Sequence, residues 1–147
     1  MKKSLLLSFI LIISLLSGCS SAANEEKKLT AGEQLSLDYV NVFLNGSDLD
    51  AKKKFVEEKV HNDVKPVFNL AAAAETAEEN KLLNPKLIES IEYEEEGVKG
   101  SVNLIHADGD KEIIMMITEG KIMWGYTSTD EDEQTKVAFN ELRSKFK

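Results

Sequence analysis

The stretch that decides the fold is IESIEYEEEGVKGSVNLIHADGDKEIIMMITEGKIMWGYT, residues 88–127. It contains four runs of strand-like composition, which span residues 88–94, 98–106, 112–118 and 121–127. The runs are separated by the pairs Glu96-Gly97, Asp108-Gly109 and Glu119-Gly120. An acid followed by glycine suits a tight turn, because glycine adopts a positive φ at little cost. Three consecutive tight turns therefore predict a four-stranded antiparallel meander.

Side-chain alternation within these runs predicts which residues face the core. Ile122, Trp124 and Tyr126 alternate along the last run and are predicted to share one face of the sheet. The run 113–117 is apolar at every position. Such a run predicts a central strand that is covered on both faces or that contacts a partner.

Helices are predicted before the sheet. Thr30 and Glu33 form a capping box that opens the first helix, and the pair at 45–46, Asn-Gly, ends it. The second helix carries apolar residues at helical spacing up to Val60, and its lysines 52–54 are predicted to face water.

A third helix and a last helix are less sharply bounded. Pro66 fits the first turn of the third helix, which is predicted to run through the alanines 71–74 and to fade near Asn80. The last helix follows the sheet, with Thr129 or Ser128 as its cap. Its predicted buried stripe is Val137, Leu142 and Phe146, with Ala138 and Phe139 beside it. A frayed tail is the alternative for this segment.

The predicted fold class is α+β, with N-terminal helices packed on a curved four-stranded antiparallel sheet and a C-terminal helix. The order of elements over residues 30–127 resembles the cone-shaped fold of nuclear-transport-factor-two-like and cystatin-like domains. That fold serves steroid isomerases, dehydratases and dimerisation modules. The resemblance therefore implies an architecture without choosing an activity.

The N-terminal residues have the pattern of a secretory signal. Lys2 and Lys3 precede the run 5–16, which is apolar except for two serines. This core is too short for a comfortable membrane span, which needs about 20 apolar residues, but it suits a signal peptide. The sequence that follows resembles the lipobox of bacterial lipoproteins and reads Leu16-Ser17-Gly18-Cys19.

The lipobox resemblance implies cleavage between Gly18 and Cys19, with a diacylglyceryl group on the Cys19 thiol. Two acyl chains such as palmitate hold a protein stably on a bilayer, whereas one chain binds only marginally. The protein would then lie on the outer face of the bacterial cell membrane. The alternative is ordinary signal-peptidase cleavage at 21–23, Ser-Ala-Ala, which would release a soluble protein and leave Cys19 without an evident role.

The chain thus divides into a signal peptide (1–18), a lipidated cysteine with a flexible tether (19–29) and a single α+β domain (30–147). Removal of Lys2 and Lys3 takes the formal net charge from −8 to −10. An acidic body lacks the clustered cations that bind nucleic acid, so nucleic acid is excluded as a partner. Anionic lipid would repel the body as well, and a tether that extends to roughly 35 Å lets it stand off the membrane.

Few residues carry the chemistry of a site. One cysteine and two histidines cannot build a four-ligand zinc site, and the segment 106–110, HADGD, lacks the late glutamate of an EF-hand loop. We expect no metal, no cofactor and no catalytic residue. Met115, Trp124 and Tyr126 are the candidate ligand-binding residues, because methionine and aromatic side chains make adaptable apolar walls. Met116 belongs to the same group.

The favoured functional hypothesis is a non-enzymatic binding or interaction module, whose partner is a small apolar molecule, a protein or an identical subunit. The alternative is a small cone-fold enzyme of isomerase or dehydratase type. Such an enzyme needs a carboxylate base and a tyrosine hydroxyl in a dry cavity. The available residues of these types are Asp38, Tyr39, Tyr93 and Tyr126.

The lipid anchor predicts a specific change in mass. The membrane-bound protein should lack residues 1–18 and carry an added diacylglyceryl group, and Cys19→Ala should leave an unprocessed precursor or a mislocalised protein. Intact-mass measurement of the membrane fraction checks both outcomes. An unchanged mass and location in the variant would refute the anchor.

Overall fold

The computed structural model describes residues 28–147. The predicted signal peptide, the lipobox with Gly18 and Cys19, and residues 19–27 of the tether lie outside the described residues. Expectations about them rest on sequence alone. Within 28–147, no helix combines the length and the apolar character needed to cross a bilayer.

The described chain has an α+β fold built on one open sheet. The helices are α1 (Ala31–Asp38), α2 (Leu49–Lys59), α3 (Lys65–Ala72) and α4 (Glu133–Arg143). A π-helical segment, Tyr39–Leu44, continues α1, and a 3-10 turn, Glu78–Asn80, follows α3. The strands are β1 (Lys86–Glu95), β2 (Val98–Ala107), β3 (Lys111–Thr118) and β4 (Lys121–Thr127). Their order is β1-β2-β3-β4 with antiparallel pairing throughout, so the predicted class and meander are confirmed.

Turn chemistry sets the three hairpins. The β1–β2 and β3–β4 connections are two-residue turns, Glu96-Gly97 and Glu119-Gly120, in which every residue has a positive φ. This mirror-image turn matches the twist of the strands it joins. The β2–β3 connection has three residues, and its positive-φ pair is Gly109-Asp110, one position later than the predicted Asp108-Gly109.

Strand β3 is buried on both faces, as its apolar run predicts. Ile113, Met115 and Ile117 belong to the larger core cluster, which packs against α1–α3. Ile114 belongs to a second cluster with Phe139 of α4, on the other side of the sheet. The sheet is therefore the middle layer of the fold.

The predicted common face of the last strand is wrong. Ile122 and Trp124 pack with the larger cluster, whereas Tyr126 packs against the α4 cluster. A register shift in the β3–β4 pairing, between Met116 and Ile117, places Ile122 opposite Ile117 of the larger cluster and Tyr126 opposite Ile114 of the second cluster. A bulge of this kind disrupts the simple two-residue alternation of side chains.

Two helix predictions also need correction. Helix α3 ends at Ala72, well before Asn80, and its exposed side carries Val67 (50% exposed) and Leu70 (80% exposed) while Phe68 is buried. Helix α4 is capped by Asp132, which accepts a hydrogen bond from the Thr135 backbone N–H.

The predicted stripe of α4 differs at its start, where Phe139 rather than Val137 is buried. Val137 is exposed, and Phe139 and Phe146 are the buried residues. Leu142 is half-buried and packs against the same cluster, as predicted.

Lys52 does not face water. It is 3% exposed, its Nζ donates to the Ala74 carbonyl at 3.1 Å, and it lies 5.9 Å from the Phe43 ring centroid. Lys52 is three residues before Phe55, so helical spacing places both on the buried side of α2. Backbone carbonyls at the C-terminal end of α3 carry partial negative charge, which stabilises the Lys52 ammonium group beside them.

A buried polar network fixes α1 on the sheet. The Asn103 side chain of β2 donates to Ser36 Oγ at 2.8 Å and accepts from Ser90 Oγ at 2.6 Å. It also donates to the Gly32 carbonyl at 3.3 Å. The buried side-chain polar atoms of residues 28–147 all have a hydrogen-bond partner, and the Asn103 amide fixes the position of α1 relative to β2.

We predict that Asn103→Ala lowers the free energy of unfolding by about 1–3 kcal/mol, because it removes the amide that bonds to the buried Ser36 hydroxyl, the half-buried Ser90 hydroxyl and the Gly32 carbonyl. Urea denaturation measures the change. The matched control is Asn140→Ala on the exposed side of α4, which should change the stability by less than about 0.5 kcal/mol. Equal effects of the two variants would contradict the proposed role of the network.

Candidate functional site

An apolar groove of about 430 Å³ lies between the sheet and the chain that follows α4. Helix α4 packs mainly against β4 and β3, so β1 and part of β2 stay uncovered on this side. The apolar lining consists of Ile91, Tyr93, Val102, Met116, Leu142 and Phe146.

Strand register builds the floor of this groove. Ile91 pairs with Val102, and Val102 pairs with Met116, so the three side chains form one row across β1, β2 and β3. Cross-strand partners lie on the same face of a sheet. The row gives the groove a continuous apolar floor.

Tyr93 closes the end of the groove next to the β1–β2 turn. Its hydroxyl lies 2.7 Å from Thr118 Oγ1 and 3.3 Å from the Ile117 carbonyl. The ring crosses Gly100, where a Cβ atom would lie 2.3 Å from Tyr93 Cζ. Glycine is therefore required at position 100 for the tyrosine to span two strands.

The α4 side of the groove is held by contacts at and beyond the C-terminal end of the helix. Arg143 Nε donates to Glu112 Oε2 at 2.8 Å, and this hydrogen bond raises the pKa of Arg143. Beyond α4, the Lys147 backbone N–H donates to Glu89 Oε2 of β1 at 3.0 Å. The groove is thus bounded by β1 on one side and by the α4 segment on the other.

Charged groups lie only at the rim. Glu94, Glu95 and Lys145 line the opening, and all three are exposed. Glu94 is 3.7 Å from Lys99 across the β1–β2 hairpin. The interior of the groove consequently offers dispersion contacts, and the rim offers both signs of charge.

The predicted ligand-binding residues do not line the groove. Met115 is fully buried (0% exposed) on the opposite side of the sheet. Trp124 is half-buried and meets Phe68 edge-on, with ring centroids 5.8 Å apart. Tyr126 is half-buried against the α4 cluster, and Met116 lies in the groove.

The residue types of an isomerase-like site are dispersed. Asp38 accepts a hydrogen bond from Gln34 at 2.8 Å, and Tyr39 packs among the rings of Phe43 and Phe55. Burial raises the pKa of Tyr39, so its hydroxyl stays protonated. Tyr93 and Tyr126 lie on the α4 side of the sheet, away from Asp38 and Tyr39.

Two other depressions are more polar. One of about 540 Å³ lies where α1 begins, and it is lined by Thr30 and Gly32 together with Lys99 and Ser101. The other, of about 410 Å³, is next to His61, which is 3.9 Å from Glu119. No group of three potential ligands for a metal ion occurs among residues 28–147.

Comparison of the chain with protein-family models, with curated proteins and with solved structures finds no match.

The cap of α4 predicts that the start of this helix depends on pH. Hydrogen bonds from the Thr135 backbone and side chain lower the pKa of Asp132. A lowered pKa means that the cap contributes stability above the ordinary aspartate pKa of about 3.9 and loses it as the pH falls through the folded value. We expect the first turn of α4 to loosen in acid before β3 does.

NMR carbon shifts of residues 133–136 and of β3, followed from neutral pH to about pH 2, measure this order of events. Asp132→Asn keeps the cap without a titrating charge, so its α4 shifts should not titrate. Identical titrations in the native chain and the variant would show that Asp132 does not control the helix.

Proposed function

We propose that this protein is a membrane-anchored extracytoplasmic lipoprotein with a non-enzymatic binding domain, whose groove beside α4 takes a small apolar molecule. The observation that carries the proposal is the half-buried apolar row of Ile91, Val102 and Met116 that lines the groove. Such a surface is costly to leave in water, since each Å² of apolar area contributes about 25 cal/mol when buried. Occupation by an apolar ligand removes that cost.

The size and chemistry of the groove support a small ligand. A volume of about 430 Å³ falls within the roughly 300–1,000 Å³ typical of ligand pockets. Binding sites of this kind are mostly apolar, with few polar groups that orient the ligand. The polar side chains that border the apolar floor are Tyr93, Glu94, Glu95 and Lys145.

The anchor is supported by the sequence pattern at residues 16–19 and by the place where the domain begins. Thr30 lies at the end of the sheet that holds Lys99 and Gly120. A diacylglyceryl group on Cys19 would therefore hold this end of the sheet nearer to the outer face of the cell membrane. The groove opens beside Tyr93 and Glu94, towards the same end.

The same proposal includes the cone-like architecture of nuclear-transport-factor-two-like and cystatin-like domains. Its support is the order of elements, with three helices before an open antiparallel meander, and the packing of those helices on one face. Helix α4 and Phe146 cover part of the second face. The groove occupies that second face.

The groove proposal predicts that an uncharged apolar fluorophore, N-phenyl-naphthylamine, binds the chain expressed without residues 1–18. Met116→Gln places an amide on the groove floor, and the matched control Val137→Gln changes an exposed position of α4. We expect the first variant to bind about tenfold more weakly because of the lost apolar contact, and the control to bind normally.

Fluorescence titration measures the affinities, and circular dichroism verifies that each variant is folded. Equal affinity of Met116→Gln and the native chain would locate the fluorophore elsewhere. No fluorescence increase with the native chain would contradict the groove as an apolar binding site.

A further inference from the structure

Strand β1 forms one edge of the sheet and is long for an edge strand. It spans ten residues, Lys86–Glu95, and among the described residues only β2 pairs with its backbone. A register shift interrupts the pairing between Leu87 and Glu89, so the regular edge is Glu89 to Glu95. Every second residue of an edge strand directs its N–H and C=O away from the sheet, which is a template for a further strand.

The two faces of this edge differ in chemistry. Ile91 and Tyr93 belong to the groove face, where they pair with Val102 and Gly100. Glu92 pairs with Ser101, on the face where α1 begins. Alternation also places Glu94 on that face. An added strand would therefore meet apolar side chains on one face and carboxylates on the other.

The charge of the edge disfavours a second copy of this chain as the occupant. Antiparallel pairing of two β1 edges centred on Glu92 would place Glu92 opposite Glu92 and Glu89 opposite Glu95, and like charges across a strand pair are destabilising. Among residues 28–147, no ion pair involves Glu92, and Glu94 pairs only with the exposed Lys99, at 3.7 Å. The complementary occupant carries positive charge.

We infer that the outer edge of β1 binds an extended basic segment of a partner protein as a fifth strand. The segment alternates lysine or arginine, opposite Glu92 and Glu94, with apolar residues beside Ile91 and Tyr93. Main-chain hydrogen bonds contribute affinity whatever the sequence of the segment. The alternating side chains contribute specificity. This interaction does not require a ligand in the groove.

The test uses an amidated, fluorescently labelled peptide that alternates lysine and valine over about seven residues, the length of the regular edge. The protein is the full chain as the cell makes it, in a non-ionic detergent. A second peptide has the same sequence with alternate backbone nitrogens methylated on its pairing edge. It keeps the charge but cannot donate the strand hydrogen bonds.

We expect the unmodified peptide to bind by fluorescence anisotropy and the methylated one to bind about tenfold more weakly, and the double variant Glu92→Lys with Glu94→Lys to show a similar loss. The matched control, Glu75→Lys with Glu131→Lys, reverses the charge at two exposed positions away from β1. It should retain most of the affinity for the unmodified peptide. NMR shift changes should centre on β1.

Equal binding of the two peptides would overturn the proposal, because it would mean attraction by charge alone. Equal losses in both charge-reversed proteins would do the same. Shift changes confined to α4, or no binding of the unmodified peptide, would also contradict it. None of these results depends on whether the groove binds the apolar fluorophore.

Discussion

A strand with apolar side chains on both faces has to be covered on both faces, and β3 imposes this constraint on the whole domain. Ile113, Met115 and Ile117 require the layer of α1–α3, and Ile114 requires α4. The layer on the α1–α3 side of the sheet is broad because three helices and a π-helical segment form it. The layer on the other side is narrow because α4 is its only helix among the described residues. The apolar groove is the part of the second face that one helix leaves uncovered.

Polar contacts turn this layered packing into a single arrangement. Hydrophobic burial has little directional preference, and helices on a flat sheet could slide without further contacts. Asn103 holds α1 on the sheet through Ser36 Oγ and the Gly32 carbonyl. Asn45 exchanges two hydrogen bonds with the backbone of Leu82, which ties the π-helical segment to the chain entering the sheet. These amides are satisfied on both their donor and acceptor sides.

The sequence predicts the fold more completely than the site, for physical reasons. Turn pairs and capping boxes are local, so the hairpins and the start of α1 at Thr30 follow from a few adjacent residues. The side on which Lys52 or Tyr126 lies depends on tertiary packing and on a bulge, and neither leaves a local signal. The groove requires three strands in register before Ile91, Val102 and Met116 become neighbours. Of these three residues, only Met116 is predicted from the sequence as a candidate binding residue, because it is a methionine.

The sheet order repeats the chain order, and this has a consequence for the kinetics of folding. Each strand pairs with its successor through a turn of two or three residues, so the sheet forms with little loop-closure entropy. The contact between Ser36 and Asn103 spans 67 residues. Because ribosomes synthesise the N-terminus first, α1 to α3 emerge before the strands that bury their apolar sides. Their stable docking waits for β2 and β3, and the meander is the element around which the nascent domain condenses.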